Sequence, residues 1–254
     1  METAERASRL SAKPVPPRDR LIFALDVPDA ARATSVVDAL GDAVTFYKVG
    51  LELILSRDFA RVVDLLGERG KLLFVDGKLH DVPQTVGAAV RQLGGLGATF
   101  ATVHGTGRAM LDAACRARDE SDGNLRLLAV TVLTSLDDHD LREDGYAPDV
   151  EVRRLVVDRA GRALAAGCDG IVASGHEVRA LREAHGDDFV IVSPGIRPVD
   201  RPDDQKRVVT PEMALRAGAD HIVVGRPIRD APDPRAAAEA IQDTIRSLFD
   251  PPGA

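Results

Sequence analysis

Acidic and basic side chains occur at the ends of several short apolar runs in this sequence. The third run, KLLFVDGK, ends in Asp76 and Lys78, and Asp81 follows shortly after it. Because the side chains of a strand alternate between its two faces, Asp76 and Lys78 are predicted to share one face. The first two runs carry Asp26 and Lys48 near their ends. These five residues are candidates for electrostatic and proton-transfer chemistry.

Stability explains such a cluster poorly. An unpaired ion in a desolvated cavity costs several kcal/mol, whereas a surface ion pair contributes roughly 0–1 kcal/mol. A single Asp-x-Lys pair would be interpreted as a structural ion pair. Five ionisable groups near the ends of neighbouring strands instead indicate a functional site, because the reacting groups of a parallel barrel lie at the carboxyl ends of its strands.

Two later loops each combine a glycine with an arginine. The seventh apolar run is followed by Gly195 and Arg197, and the eighth by Gly225 and Arg226. The loops after strands seven and eight of a parallel barrel are its usual phosphate site, and the guanidinium fork of arginine suits phosphate oxygens. Taken singly, either glycine could be a turn and either arginine a surface charge. The two loops together predict a phosphorylated ligand.

Eight apolar runs return at fairly even intervals and are separated by segments with helical spacing. Nearly continuous apolar strands that alternate with helices predict a parallel sheet covered on both faces. The 254 residues divide into about 32 for each βα unit, so we expect a single-domain α/β protein with the (β/α)₈ TIM-barrel fold. An open doubly wound sheet is the alternative. The predicted strands lie within 21–27, 45–50, 71–78, 98–105, 125–133, 169–174, 188–195 and 220–225.

The ends of the chain are expected to lie outside the barrel. Residues 1–20 hold no apolar stretch resembling a signal peptide and are predicted to form a flexible leader, followed by the barrel at 21–249 and a tail at 250–254. No run approaches the roughly 20 apolar residues of a membrane span. The two cysteines, Cys115 and Cys168, are far apart along the sequence and show no zinc-site spacing. We therefore predict a cytoplasmic protein without membrane association.

Composition and missing motifs narrow the possible functions. A net charge of −7, with seven Phe, two Tyr and no Trp, disfavours nucleic-acid binding. Neither a G-x-S-x-G elbow nor a G-x-G-x-x-G motif occurs. His80 and His104 fall near strand ends, but no metal-ligand spacing is present and structural roles are favoured for both. The chemistry is predicted to need no metal and no cofactor, only electrostatics and one proton donor.

Seven motifs occur in a fixed order between Leu21 and Ile228: FALDV, FYKVG, FVDGKLHDVPQTV, VTVLTS, SPGIRP, DQKR and VVGRPI. Together they resemble the orotidine 5′-phosphate decarboxylase family. The D-x-K-x-x-D core is shared by a wider suprafamily, whereas its combination with the three last motifs is highly specific. The resemblance implies a (β/α)₈ barrel, a homodimer with its sites at the subunit interface, a nucleotide substrate, and catalysis without metal or cofactor.

The resemblance also implies roles for individual residues. Lys78 would protonate C6 of the substrate, Asp76 would face the departing carboxylate, and Asp81 would enter from the neighbouring subunit. Asp26 and Lys48 would bind the ribose hydroxyls. Pyrimidine contacts are implied for Thr134 and Ser135, closure over ring and phosphate for Gln205, phosphate binding for Arg197, Gly225 and Arg226, and further substrate contacts for Thr85 and Pro194.

The implied reaction converts orotidine 5′-monophosphate to uridine 5′-monophosphate and CO₂, the last step of de novo UMP synthesis. Two alternatives stay open. A metal-dependent 3-keto-6-phosphogulonate decarboxylase would share the D-x-K-x-x-D geometry and stabilise an enediolate with Mg²⁺, although SPGIRP and DQKR argue against it. A barrel that binds a phosphorylated ligand without catalysis is the other alternative, and an assay of turnover would separate it from an enzyme.

Overall fold

Eight parallel strands close into a barrel in the computed structural model, which describes residues 9–121, 123–197 and 209–250. Each strand pairs with the next along the chain, and the last pairs with the first through Ile22 and Val223. This closing pair confirms the (β/α)₈ barrel and excludes the open sheet. The strands are β1 (Leu21–Ala24), β2 (Phe46–Val49), β3 (Leu72–Leu79), β4 (Phe100–His104), β5 (Arg126–Val130), β6 (Gly170–Val172), β7 (Val190–Ser193) and β8 (His221–Val224).

Helices follow the strands and cover the outside of the barrel. The described residues form eleven of them: α1 (Ala30–Leu40), α2 (Leu51–Ile54), α3 (Phe59–Glu68), α4 (Pro83–Gly95), α5 (Arg108–Asp119), α6 (Asp138–Glu143), α7 (Val152–Ala165), α8 (Val178–His185), α9 (Pro211–Ala217), α10 (Arg226–Arg229) and α11 (Pro234–Phe249). The short helices α2, α6 and α10 lie in the loops after β2, β5 and β8. None of the helices in the described part of the chain is long and apolar enough to cross a membrane.

The side chains of each strand alternate between two apolar layers. One set packs against the helices, and the other fills the barrel. In the lower barrel Phe46, Phe100 and His221 lie with ring centroids 5.1–5.8 Å apart. The barrel is therefore a packed core, and polar groups enter it near the carboxyl ends of the strands. The apolar interior residues are Ile22, Ala24, Phe46, Phe74, Phe100, Leu128, Val130, Val172, Val190, Val192 and Val223.

Local signals begin several helices as the sequence suggests. Pro83 begins α4, where the fixed φ of proline suits a first helical residue. Asp29 caps α1 by accepting a hydrogen bond from the amide of Arg32. The charged stretch at 136–149 contains a structured turn of helix as well as loop. There Asp137 begins α6 with a reciprocal capping box, a local hydrogen-bond pattern that stabilises even a short helix.

Buried charges also gather at the opposite, amino-terminal end of the barrel. We call Lys13, Arg20, Arg182 and Asp220 the basal cluster. Arg182 Nη2 lies 2.7 Å from Asp220 Oδ2, and both side chains are almost completely buried. Lys13 Nζ lies 3.5 Å from Asp220 Oδ1, and Arg20 donates to the Asp220 carbonyl. Through these contacts residues 9–20, expected within a leader, lie against the barrel.

Candidate active site

Four of the five predicted charged residues come together at the carboxyl ends of β1 to β3. We call Asp26, Lys48, Asp76 and Lys78 the mouth cluster. Lys78 Nζ lies 2.9 Å and Lys48 Nζ 3.4 Å from Asp76 Oδ2. Lys48 Nζ also lies 3.5 Å from Asp26 Oδ1. The result is a row of alternating charges with the Asp76 carboxylate held between two ammonium groups.

The strand register produces this arrangement. Lys48 of β2 pairs with Ala24 of β1 and with Phe74 of β3. Asp26 and Asp76 each lie two residues beyond these partners, so the alternation of side chains brings both carboxylates to the same side of the sheet as Lys48. The apolar layer below, which includes Phe74, keeps water away from the inner side of the cluster.

Asp76 is ionised in this environment. Its side chain is 13% exposed, and burial alone would favour the neutral acid. The positive charges of Lys48 and Lys78, with hydrogen bonds from Lys78 and Thr102, outweigh burial and lower the pKa of Asp76 below its ordinary value. A negative charge is therefore fixed at the barrel mouth at neutral pH.

The backbone at Lys78 is strained. Its φ of 47° makes it the one non-glycine residue with positive φ in the described ranges. Such a conformation costs of the order of 1–3 kcal/mol and is common at functional sites. Pairing of β3 with β4 also shifts register between Val75 and Leu79. Asp76 and Lys78 thus reach the same mouth, as predicted, but through a bulged strand rather than regular alternation.

Thr102 joins the two ends of this bulge, and the sequence reasoning missed it. The Lys78 backbone amide donates to Thr102 Oγ1 over 2.8 Å, and the Thr102 hydroxyl donates to Asp76 Oδ1 over 2.9 Å. The Thr102 side chain is buried inside the barrel. A signal was present in the sequence, because Thr102 is a polar residue on the same face of its strand as the apolar Phe100.

Gly50 is a second residue that the sequence reasoning passed over. A Cβ atom at this position would lie 3.1 Å from Asp26 Oδ1 and 3.2 Å from Lys48 Nζ. A larger residue would therefore crowd the ion pair. Arg229 also reaches this corner, where its Nη1 donates to the Asp26 carbonyl over 2.8 Å.

Asp81 lies apart from the mouth cluster. It is exposed just before α4, and its Oδ1 accepts a hydrogen bond from the amide of Val82 over 2.6 Å. It forms no ion pair with any described residue. Residues 81–85 are all exposed, including Thr85, and Val82 is 61% exposed. The fifth predicted charge is thus presented outward on a surface that includes an apolar side chain.

The two predicted phosphate loops lie after β7 and β8. Pro194 follows β7, Gly195 has a φ of 76°, and the amide of Arg197 donates to the Val209 carbonyl. Gly225 follows β8 and precedes the exposed Arg226. Neither arginine forms an ion pair within the described ranges. Gln205 falls outside the described residues.

Thr134 and Ser135 occupy the segment between β5 and α6. Both are exposed there. They contribute polar hydroxyl groups on the β5 side of the barrel. No hydrogen bond within the described residues engages either hydroxyl.

Two histidines border the cluster. The rings of His80 and His104 lie 4.9 Å apart, and His80 Nε2 is 3.4 Å from Thr106 Oγ1. Burial lowers the pKa of His104, and electrostatic interactions with His80, Lys78 and Arg159 lower it further. His104 is therefore neutral at pH 7 and adds no charge beside Lys78.

The carboxylate oxygens of Asp76 accept from protein groups on every side. Asp76 Oδ2 faces two lysine ammonium groups and Oδ1 accepts from Thr102, so both oxygens are engaged. Among the described residues, one group of potential metal ligands lies close together: Asp137, His139 and Asp140. That exposed group belongs to the capping box of α6, outside the mouth cluster.

A closed (β/α)₈ barrel with ionised groups gathered at the carboxyl ends of its strands has the arrangement of a barrel enzyme. Residues 19–241 match the model of the Orotidine 5′-phosphate decarboxylase / HUMPS family. The chain belongs to this family.

Several known proteins are similar to the chain over nearly its whole length. It is 57% identical to the orotidine 5′-phosphate decarboxylase of Methylococcus capsulatus, with 94% of this chain and 97% of the relative covered. It is 52% identical to that of Stenotrophomonas maltophilia, covering 94% and 99%. The crystal structure of orotidine 5′-phosphate decarboxylase from Lactobacillus acidophilus aligns with a TM-score of 0.78 and 38% identity, covering 89% of this chain and 99% of that one.

Proposed function

We propose that this protein decarboxylates orotidine 5′-monophosphate to uridine 5′-monophosphate and CO₂, the last step of de novo UMP synthesis. The observation that carries the proposal is the Lys48–Asp76–Lys78 array, with Asp76 Oδ2 within 3.4 Å of both ammonium groups. Relatives that share about half of its residues bear the name of this enzyme. An array of fixed charges is what a decarboxylation without an electron sink requires.

Lys78 is the proton donor in this proposal. Departure of CO₂ from C6 of the orotate ring leaves an electron pair in an orbital of that carbon, which the ring does not delocalise. An ammonium group beside C6 stabilises the developing negative charge and then transfers its proton to the same carbon. The contact of Lys78 Nζ with Asp76 holds the ammonium group in the cluster before substrate binds.

Asp76 favours loss of CO₂ by its charge. Its carboxylate stays ionised between Lys48 and Lys78. A substrate carboxylate placed beside it is repelled, and the repulsion disappears as neutral CO₂ leaves. Stabilisation is then greater in the transition state than in the bound substrate, which is the condition for a higher kcat.

The other residues bind the parts of the substrate that do not react. We infer that Asp26 and Lys48 bind the ribose hydroxyls after their own ion pair opens. The guanidinium groups at the two phosphate loops bind the phosphate, whose binding energy holds the reacting carbon in place. The proposed remaining contacts are Thr134 and Ser135 with the pyrimidine, Arg197, Gly225 and Arg226 with the phosphate, Gln205 with both, and Thr85 and Pro194 with the bound nucleotide.

We further infer a homodimer in which Asp81 completes the site of the neighbouring subunit. Asp81 is exposed and unpaired within the described residues, and Val82 beside it is a largely exposed apolar residue. A two-fold symmetric interface would bury this surface on both subunits. The carboxylate would then extend the row of alternating charges next to Lys78 of the partner.

Turnover tests the proposed function. The purified protein is incubated with orotidine 5′-monophosphate in the presence of EDTA, and the ultraviolet change from orotate to uracil is followed. We expect full conversion that EDTA leaves unaffected. Tight nucleotide binding without turnover would indicate a binding protein, and loss of activity in EDTA would indicate a metal-dependent reaction.

A further inference from the structure

We propose that Thr102 is a positioning residue for the decarboxylation. Its hydroxyl group joins the carboxylate of Asp76 to the backbone of Lys78, and so fixes the placement of the two groups that meet the reacting carbon. The inference rests on the proposed function of the mouth cluster. Thr102 itself lies behind these groups, with its side chain buried in the barrel.

The hydrogen bonds of Thr102 can run in one direction only. A backbone amide can only donate, so Thr102 Oγ1 accepts from Lys78 over 2.8 Å. The single hydroxyl proton is then free for Asp76 Oδ1, which as a carboxylate can only accept, over 2.9 Å. Each bond strengthens the other because both polarise the hydroxyl in the same sense.

The irregular pairing of β3 explains why a side chain is needed here. Val75 pairs with Ala101 and Leu79 with Val103, so three residues of β3, numbers 76–78, face the single residue Thr102. The Lys78 amide finds its acceptor in a side chain instead of a strand carbonyl. The hydroxyl of Thr102 thereby supports the positive φ of Lys78.

The same hydroxyl sets the rotation of the Asp76 carboxylate. Oδ2 faces Lys48 and Lys78, which alone would let the carboxylate turn about its bond to Cβ. The bond from Thr102 to Oδ1 fixes the plane. Because Thr102 is β-branched and buried, its own side chain has little rotational freedom. The oxygen that faces the substrate carboxylate is therefore placed by a rigid neighbour.

Replacement of the hydroxyl by a methyl group tests this role. Thr102→Val keeps the shape of the side chain and removes both hydrogen bonds, so kcat should fall by about 10- to 100-fold, the range expected for misplaced reacting groups. KM and the Kd of uridine 5′-monophosphate should change little, because the Thr102 side chain is buried and its hydroxyl is engaged by Asp76 and Lys78. Thr102→Ser, which keeps the hydroxyl, should restore most of kcat. If the Thr102→Val variant does not fold, Thr102→Ala takes its place, and its kcat is compared with that of Thr102→Ser in the same way.

Thr131 supplies the matched control. It is a buried threonine just after β5, and its Oγ1 has no hydrogen-bond partner within the described residues. Thr131→Val makes the same chemical change without the loss of a bond, so kcat should stay near that of the wild type. Melting temperatures of all variants report on folding.

The outcomes separate the inference from the proposed function. Turnover by the wild-type protein, low kcat in Thr102→Val and recovery in Thr102→Ser support the inference. Wild-type kcat in Thr102→Val, or equal losses in the valine and serine variants, would overturn it while leaving the proposed function intact. Absence of turnover in the wild type would overturn the proposed function itself.

Discussion

The two ends of the barrel carry similar charged residues, but the charges serve different purposes at the two ends. The basal cluster pairs arginine and lysine with one buried aspartate, and the mouth cluster pairs two lysines with two aspartates. At the base, Asp220 Oδ2 also accepts from the amide of Ile191, and Arg182 donates to the carbonyls of Phe189 and Gly218. Arg182 and Asp220 are thus buried, paired with each other and hydrogen-bonded to the backbone, so they stabilise this end of the barrel.

The mouth cluster is open where the basal cluster is closed. Lys78 is 32% exposed, and its backbone is strained. The guanidinium groups of Arg197 and Arg226, at the loops after β7 and β8, form no ion pair within the described ranges. A gathering of charges is therefore not sufficient to mark an active site. What distinguishes the mouth is its place at the carboxyl ends of the strands, its partial exposure and the conformational strain that the barrel supports.

Removal of the Lys78 ammonium should have the largest effect. We expect Lys78→Ala to lower kcat by about 10⁴-fold or more, because one group supplies both charge stabilisation and the proton. Binding of uridine 5′-monophosphate should persist, as measured by calorimetry. The matched control is Lys71→Ala, at the opposite end of the same strand, where Nζ binds the carbonyls of Gly41 and Val44. The control should keep its kcat; equal losses in both variants would contradict the assignment.

Mixing of two inactive variants should test whether the mouth is completed by a second copy. Lys78→Ala and Asp81→Ala are each expected to be inactive. Subunit exchange in an equal mixture yields heterodimers with one intact site, so activity should return to about a quarter of the wild-type value for a two-fold dimer. Activity in Asp81→Ala alone, or no recovery despite exchange shown by mass spectrometry, would refute a shared site.

Disruption of the basal cluster should lower the stability of the fold and leave catalysis intact. Arg182→Met removes the nearest cation of the buried Asp220 side chain, and we expect the free energy of unfolding to fall by about 3–5 kcal/mol. Urea titration measures this loss. At a temperature where the variant is folded, its kcat should match the wild type. A large fall in kcat without loss of stability would contradict the assignment of the basal cluster to stability alone.

A histidine at the amino-terminal end of the barrel should also determine part of the pH dependence of stability. Burial lowers the pKa of His221 to about 4, although its bond to the Asp19 carbonyl and the charge of Asp220 oppose the shift. When the pKa of a histidine is lower in the folded state, the fold has its full stability at pH values above the pKa of the unfolded state. Stability should therefore fall as the pH drops from about 6.5 to about 4, by about 3 kcal/mol in all.

Replacement of His221 should remove this pH dependence. His221→Gln keeps a hydrogen-bond donor and cannot gain the charge. Its free energy of unfolding, measured in urea at several pH values, should vary less than that of the wild type between pH 6.5 and 4. Parallel curves for the two proteins would show that other groups are responsible.

The fold and the place of the site were predictable because both follow from short-range patterns. Apolar runs located all eight strands, and polar residues at their ends located the mouth. The bulge at Lys78 was not predictable, since it depends on how two complete strands pair. Thr102 escaped notice because a lone threonine on the face of an apolar strand is a weak signal. The pairing of Arg182 with Asp220 likewise joins residues that are distant along the chain.

Release of labelled CO₂ tests most directly whether the reaction depends on the mouth cluster and not on the basal cluster. Orotidine 5′-monophosphate carrying ¹⁴C in its carboxylate is given to the wild type, Lys78→Ala and Arg182→Met under conditions where all three are folded. We predict equal release by the wild type and Arg182→Met, and none above background by Lys78→Ala. Substantial release by Lys78→Ala would contradict the account.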